Sequence, residues 1–285
     1  MPKTAQQALP FSAPRTKIRL SNEDCILGMR SIPDGSVDVV VTSPPYNLDI
    51  DYGGFDDSRS EDEYLAWTAE WTREVHRVLK DSGSFFLNIG AAPKDPWIPH
   101  RVILSLRNHW HLQNTFHWIK SITVEPRAGN PISVGHFKPL NSPRFVTDCH
   151  EFIFHLTKSG NVPLDRLAVG VEYADKSNIA RWGHTKGKDK RCRGNNWFLP
   201  YDTIKSRDKQ RPHPASFPVG LPERCIRLHG NCEEAHVMDP FLGIGNTALA
   251  ALRCNTSRFT GFEINAGFLE YAKDRIADMT GTAER

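Results

Sequence analysis

Val37-Asp38-Val39-Val40-Val41-Thr42-Ser43-Pro44-Pro45-Tyr46 decides how the rest of the chain is read. Its first six residues are β-branched and apolar apart from Asp38, the pattern of a short strand buried on both faces. Two prolines cannot continue a central strand, so Ser43 to Tyr46 form a loop at the strand's C-terminal end. Open α/β sheets hold their ligands at such ends.

Outward from this stretch, helix and strand patterns alternate. Glu61 to Lys80 carries Tyr64, Leu65, Trp67, Trp71, Val75, Val78 and Leu79 at helical spacing, with Asp81-Ser82-Gly83 as its stop. Trp67 and Trp71 read as core packing, not as a stacking platform. Ser84 to Ile89 is a strand, followed by further elements over Pro99–Asn108 and Leu112–Ile119 and a strand over Glu151–Leu156. Late in the chain come a helix over Leu221–Leu228 with Pro222 in its first turn and a strand ending at Val237-Met238-Asp239. A Gly243–Thr247 turn then leads into the helix Ala248–Arg253, the strand Arg258–Ile264 and the helix Ala266–Met279. This alternation predicts an α/β fold with a largely parallel, doubly wound sheet.

The chain has 285 residues, 39% hydrophobic and 24% charged, which suits a globular α/β domain with an additional small module. No apolar run approaches the roughly 20 residues of a membrane span. Met1 to Pro14 lacks the apolar stretch of a signal peptide and reads as a flexible leader. The six cysteines form no CxxC pair, so neither a disulfide framework nor a structural zinc site is expected, and the simplest location is a reducing cytoplasm. His150, Glu151 and His155 mimic metal ligands in type, but neighbours on a strand face opposite ways, and no metal is expected there. Net charge is only +3, yet Arg181 to Arg211 holds ten Lys and Arg against three Asp, an excess of seven. A charge run is usually a solvated face. Here Trp182, Trp197, Phe198 and Tyr201 are interleaved with the cations, a combination that suits phosphates and bases together.

Asp239-Pro240-Phe241-Leu242-Gly243-Ile244-Gly245-Asn246-Thr247-Ala248 lies between a strand and a helix. Small residues there admit a close ligand, and Glu263 at the end of the next strand can accept hydrogen bonds from both hydroxyls of a ribose. The same residues fit a G-x-G-x-x-A dinucleotide fingerprint, which keeps an NAD-dependent oxidoreductase open as a rival. Asp239 before the turn favours a cationic amino-acid moiety over a pyrophosphate.

In the Ser-Pro-Pro-Tyr loop, the Ser43 hydroxyl and Pro44 carbonyl are two acceptors for an NH₂ group, rigidly held by prolines that add no competing donors. Tyr46 offers a flat face to a base turned out of its helix. An exocyclic amine is a poor nucleophile because its lone pair is delocalised into the ring. Two acceptors on its hydrogens favour a pyramidal nitrogen aimed at an electrophile, so positioning and electrostatics carry the step. No cysteine lies in the loop, which argues against thiolate attack at a ring carbon.

Together, Val41-Thr42-Ser43-Pro44-Pro45-Tyr46-Asn47 and Asp239-Pro240-Phe241-x-Gly243-x-Gly245-x-Thr247 resemble the catalytic and cofactor motifs of the DNA amino-methyltransferases, in the order of their β group. The resemblance covers Asn22 to Asp278. It implies a Rossmann-like S-adenosylmethionine-dependent methyltransferase with a mostly parallel seven-stranded sheet and a small target-recognition insertion. The corresponding division is a leader over 1–16, a catalytic half over 17–158, the insertion over 159–212 and a cofactor-binding half over 213–285. Ser43, Pro44, Pro45 and Tyr46 would be catalytic. Asp24 would lie near the adenine ring, Phe217 and Pro218 would enclose the methionine part, and Asp239, Pro240, Phe241, Gly243, Gly245, Thr247 and Glu263 would complete the cofactor site. Lys138, Arg144, Arg181, Lys186, Lys188, Lys190, Arg191 and Arg193 are the candidates for contact with double-stranded DNA; the loop that holds His136, Lys138, Asn141 and Arg144 reads equally as a DNA clamp or as an ordered surface loop. Ser in the first catalytic position is commoner among enzymes acting on N4 of cytosine, and Asp among those acting on N6 of adenine, so cytosine N4 is the expectation and adenine N6 the alternative. A DNA-binding module without catalysis is a further rival. The resemblance also leaves room for a homodimer, a cognate restriction endonuclease and a nucleoid-associated place in a bacterial or archaeal cell.

Overall fold

A computed structural model describes residues 16–50, 57–126, 128–135, 141–181, 183–200 and 216–282. Its centre is an eight-stranded sheet in the order β1-β10-β9-β2-β3-β7-β4-β8. The strands are β1 (Lys17–Ser21), β2 (Val37–Thr42), β3 (Leu79–Ile89), β4 (His111–Ile119), β7 (His150–Thr157), β8 (Asn196–Phe198), β9 (His236–Asp239) and β10 (Arg258–Phe262). Only β7 runs against its neighbours. The late strand β9 inserts beside β2, pairing Val237 with Val39 and Met238 with Val40. Two motifs about two hundred residues apart therefore finish at the same edge of the sheet. A separate ribbon, β5 (Ser121–Val124) with β6 (Ile132–Gly135), rises from the end of β4. The sequence reading assigns no element there.

Helices cover both faces: α1 (Cys25–Met29), α2 (Glu61–Val78) and α3 (Ile98–Leu106) with the core around Trp71 and Phe85, and α5 (Gly220–His229), α6 (Asn246–Arg253) and α7 (Ala266–Thr280) with the core around Phe86 and Phe259. A short α4 (Ser177–Arg181) lies in the inserted region. Ser60 opens α2 with a reciprocal capping box to Glu63, which satisfies two otherwise orphaned backbone donors.

The end of α2 departs from the expected Lys80. The helix stops at Val78, and Leu79 and Lys80 already belong to β3, which also takes in Asp81-Ser82-Gly83 as an irregularity between the pairs Val37↔Leu79 and Val39↔Ser84. Burial of the Leu79 side chain against the sheet overrides the local stop signal. The same geometry explains Asp38, the one charge in β2. It accepts Lys80 Nζ at 2.7 Å and the His236 backbone N–H at 2.9 Å.

The inserted region is anchored by a core element. β8 pairs in parallel with β4, and Trp197 is 1% exposed with its ring 4.5 Å from that of Phe116. Trp118 Nε1 donates to the Leu199 carbonyl at 2.7 Å. Trp197 thus leaves the group of aromatics expected to face nucleic acid, because it extends the expected seven-stranded sheet by an eighth strand. Phe198 faces outward, while Trp182 and Tyr201 lie outside the described residues. Among the described residues no helix is long and apolar enough to cross a membrane.

His155 is fully buried, stacked on Phe86, with Nε2 3.0 Å from Ser84 Oγ and Nδ1 3.1 Å from the Asn114 amide. Burial pushes its pKa down to about 3. The unfolded chain therefore takes up a proton below about pH 6.5 that the folded state refuses until about pH 3, so stability is lost as pH falls through that window. His155→Gln is expected to flatten this loss, read as a smaller drop in the urea midpoint between pH 7 and pH 5 than in the parent protein.

Candidate active site

The Asp239 carboxylate, 1% exposed, joins the two motifs. Its Oδ1 accepts the Thr42 hydroxyl at 2.6 Å and the Phe241 N–H at 3.0 Å, and its Oδ2 accepts the Thr247 hydroxyl at 2.6 Å. Burial raises its pKa to about 6. Asp239 and Thr247 therefore serve as the frame of the site: each is turned toward the other and not toward the cleft.

A cleft of about 690 Å³ opens beside this frame. Ser43, Pro44, Pro45 and Tyr46 line it together with Pro240 and Phe241, the acids Asp24 and Glu263, and Phe268. A smaller hollow of about 280 Å³ shares Ser43 and Phe241 and continues along Phe217, Gly243, Ile244 and Asn246. Pro218 precedes α5 and lines neither hollow; its carbonyl accepts the Leu221 N–H at 2.9 Å. Gly243 and Gly245 hold left-handed φ values of 53° and 82°, which favour glycine. A Cβ on Gly245 would also stand 2.9 Å from Ala272 Cβ, so this glycine lets α6 dock on α7.

Glu263 accepts the Gly243 N–H through Oε2 and the Asn265 N–H through Oε1, both at 2.8 Å. Burial raises its pKa. A carboxylate has about four acceptor sites, so capacity remains for a ligand hydroxyl. Asp24 caps α1 through Oδ1 while lining the cleft. A cleft with carboxylate acceptors, aromatic walls and a glycine turn held against Glu263 fits a nucleoside bearing an amino-acid tail.

The Ser43–Tyr46 loop is held from behind. Tyr64 donates to the Pro45 carbonyl at 2.8 Å. The buried Asp57 carboxylate gathers the N–H groups of Asn47, Leu48 and Ile50 at 2.7–3.1 Å, and burial raises its pKa. The expected Trp67 and Trp71 packing is present, and it steadies the turn that follows Asp239: their rings lie 5.5 and 5.1 Å from that of Phe241. Sequence reading missed Glu23, Ile264 and Phe268 on the cleft wall, and also Asn88 and Glu151 behind Tyr46. An acid heading the apolar strand 151–156 was the available signal for Glu151.

Of the candidate DNA-contact residues, Arg144, Arg181, Lys186, Lys188, Lys190 and Arg191 are exposed. Arg193 is half-buried and donates to the Val169 carbonyl at 2.8 Å, so its guanidinium also braces the insertion. Lys138 and His136 lie outside the described residues; Asn141, on the same loop, is exposed.

A family model described as DNA methylase, covering the N6 and N4 enzymes, matches residues 37–274, and the chain belongs to that family. The type II methyltransferase M.BglII of Bacillus subtilis is 30% identical over 272 residues, 93% of this chain and 70% of that one. The DNA adenine methyltransferase YhdJ of Escherichia coli (strain K12) is 26% identical, over 89% of this chain and 80% of that one. Among solved structures, PvuII DNA methyltransferase (cytosine-N4-specific) superposes with a TM-score of 0.66 at 20% identity, covering 94% of each chain. The chain is thus a DNA amino-methyltransferase of the N6/N4 family, and S-adenosylmethionine is the family's methyl donor.

Glu263→Gln removes a charge from the acceptor facing the hollow. A hydrogen bond to a charged group contributes about 1.5–3 kcal/mol, so calorimetric affinity for S-adenosylmethionine should fall roughly 10- to 100-fold, with duplex DNA binding unchanged.

Proposed function

We propose that this chain methylates N4 of cytosine in duplex DNA at a specific site, with the target base turned out into the cleft beside Ser43. The observation that carries the reading is Ser43 itself: a neutral hydroxyl, not a carboxylate, on the wall shared by the two hollows. The cofactor, when bound, supplies an electrophilic methyl group on a sulfonium. The protein's part is to hold the amino nitrogen in line with it. Ser43 Oγ and the Pro44 carbonyl accept the two amino hydrogens, so the nitrogen lone pair is drawn out of the ring toward the cofactor side. Tyr64 engages the next carbonyl along, that of Pro45, and so fixes the Pro45–Tyr46 peptide that follows it. Tyr46 and Phe241 enclose the base in apolar surface.

DNA is held by the cations of the insertion, with Arg144 near the ribbon as an outlying contact. Phosphate contacts of this type position the duplex without reading its sequence. Replacing Lys188 and Arg191 together by Ala is expected to weaken DNA binding uniformly across sequences and to lower the slope of log affinity against log salt by about two.

Adenine N6 is the second reading, favoured by the name of the Escherichia coli relative. Mass spectrometry of nucleosides from unmethylated DNA treated with the protein and S-adenosylmethionine separates the two. N4-methylcytosine is the expected product; N6-methyladenine keeps the mechanism and overturns the base assignment. Ser43→Ala should slow single-turnover methyl transfer about 10²- to 10³-fold, the cost of losing one preorganised polar contact to the reacting group, while leaving cofactor affinity within twofold.

A further inference from the structure

Behind the catalytic loop lies a group of polar side chains that neither motif contains. The Tyr46 hydroxyl is 2.7 Å from Ser43 Oγ, 3.1 Å from Glu151 Oε2 and 3.3 Å from Asn88 Oδ1. Asn88 Nδ2 donates to Glu151 Oε2 at 3.1 Å and to the Phe152 carbonyl at 3.0 Å, which fixes the amide with its oxygen toward Tyr46. Glu151 Oε1 pairs with Lys120 Nζ at 3.0 Å, and both side chains are largely buried. Gly90 makes room for this approach: a Cβ there would stand 2.9 Å from Glu151 Cγ and 3.2 Å from Tyr46 Cε2.

The directions of these bonds are constrained. A carboxylate and an amide oxygen can only accept. With both facing it, the Tyr46 hydroxyl points its proton at them, so its oxygen must accept from Ser43. Ser43 then spends its only proton on Tyr46, and its oxygen is left to accept on the cleft side. Reversed, the chain would aim a Ser43 proton at the amino group and repel it.

We infer that Glu151, held by Lys120, is a positioning residue that fixes the direction of the chain Ser43→Tyr46→Glu151 and so presents Ser43 to the substrate as an acceptor. This rests on the reading of Ser43 as a partner of the target amine. Glu151 touches neither substrate nor cofactor. It acts through Tyr46.

The test is Glu151→Gln in the full-length protein, assayed by single-turnover methyl transfer on DNA that the parent methylates. Lys120 will keep the amide oxygen, which turns the amide NH₂ toward Tyr46 and leaves only the Asn88 oxygen at 3.3 Å to hold the direction of the chain. The rate should fall 10- to 100-fold, with affinities for S-adenosylmethionine and DNA within twofold. Adding Lys120→Met frees the amide to rotate and should recover at least fivefold of the loss, which a merely structural role for the ion pair would not produce. In a Ser43→Ala background, Glu151→Gln should cost less than threefold, since the group it orients is gone. If Ser43→Ala itself leaves the rate intact, the reading of Ser43 fails and this inference with it. If Ser43→Ala is slow but Glu151→Gln is normal, or if the Gln loss persists undiminished without Ser43, the inference alone is overturned. Should Glu151→Gln fail to fold, Tyr46→Phe addresses the same chain by removing the acceptor for the Ser43 proton; an unchanged rate there also overturns it.

Discussion

One buried carboxylate ties the molecule's two halves together. Asp239 bonds to Thr42 at the end of β2 and to Thr247 in the first turn of α6, residues separated from it by 197 and 8 positions. An unpaired buried carboxylate would carry a desolvation cost of several kcal/mol, so each hydroxyl must stay in place for the others to be stable there. The catalytic loop leaves directly after Thr42, and the glycine turn lies between Asp239 and Thr247. The relative position of the two motifs is therefore set by three side chains that do not line the cleft. The charge that seemed suited to a cationic ligand instead holds the walls apart at a fixed distance.

The sheet topology makes this arrangement reachable. Because β9 enters between β10 and β2, the cofactor turn and the catalytic loop emerge from adjacent parallel strands at their C-terminal ends. The antiparallel β7 then brings its first residues, Glu151 among them, to that same edge from the opposite chain direction. Reversal of one strand is what allows an acid near a strand's start to stand behind a loop that follows another strand's end. Lys120, at the foot of the β5–β6 ribbon, completes the pairing.

The basic insertion divides its residues between two tasks. Trp197 and Arg193 are used inward, one in the core and one on a carbonyl, while Arg181, Lys186, Lys188, Lys190 and Arg191 remain at the surface. Cations keep a fixed arrangement only on an element that is itself held still. The short strand β8 supplies that hold by joining the edge of the sheet through three residue pairs.

Much of this was legible in the chain itself. Continuous β-branched runs such as Val37–Thr42, amphipathic spacing over Glu61–Val78, and the two motifs with their order determine the α/β class, the cleft walls and the family, because periodicity and loop chemistry are local properties. The sequence by itself also picked out Asp24, Ser43 to Tyr46, Pro240, Phe241 and Glu263 on the cleft wall, and left Glu23, Cys25, Phe262, Ile264 and Phe268 unread. What it could not decide were matters of partnership. The stop written in Asp81-Ser82-Gly83 yielded to burial of Leu79, Trp197 went to the core and not to the surface, Asp239 turned to two threonines, and Glu151 came to stand behind Tyr46. Each of these depends on which distant group arrives at hydrogen-bond or van der Waals distance. That is settled only when strands from separate parts of the chain are laid side by side.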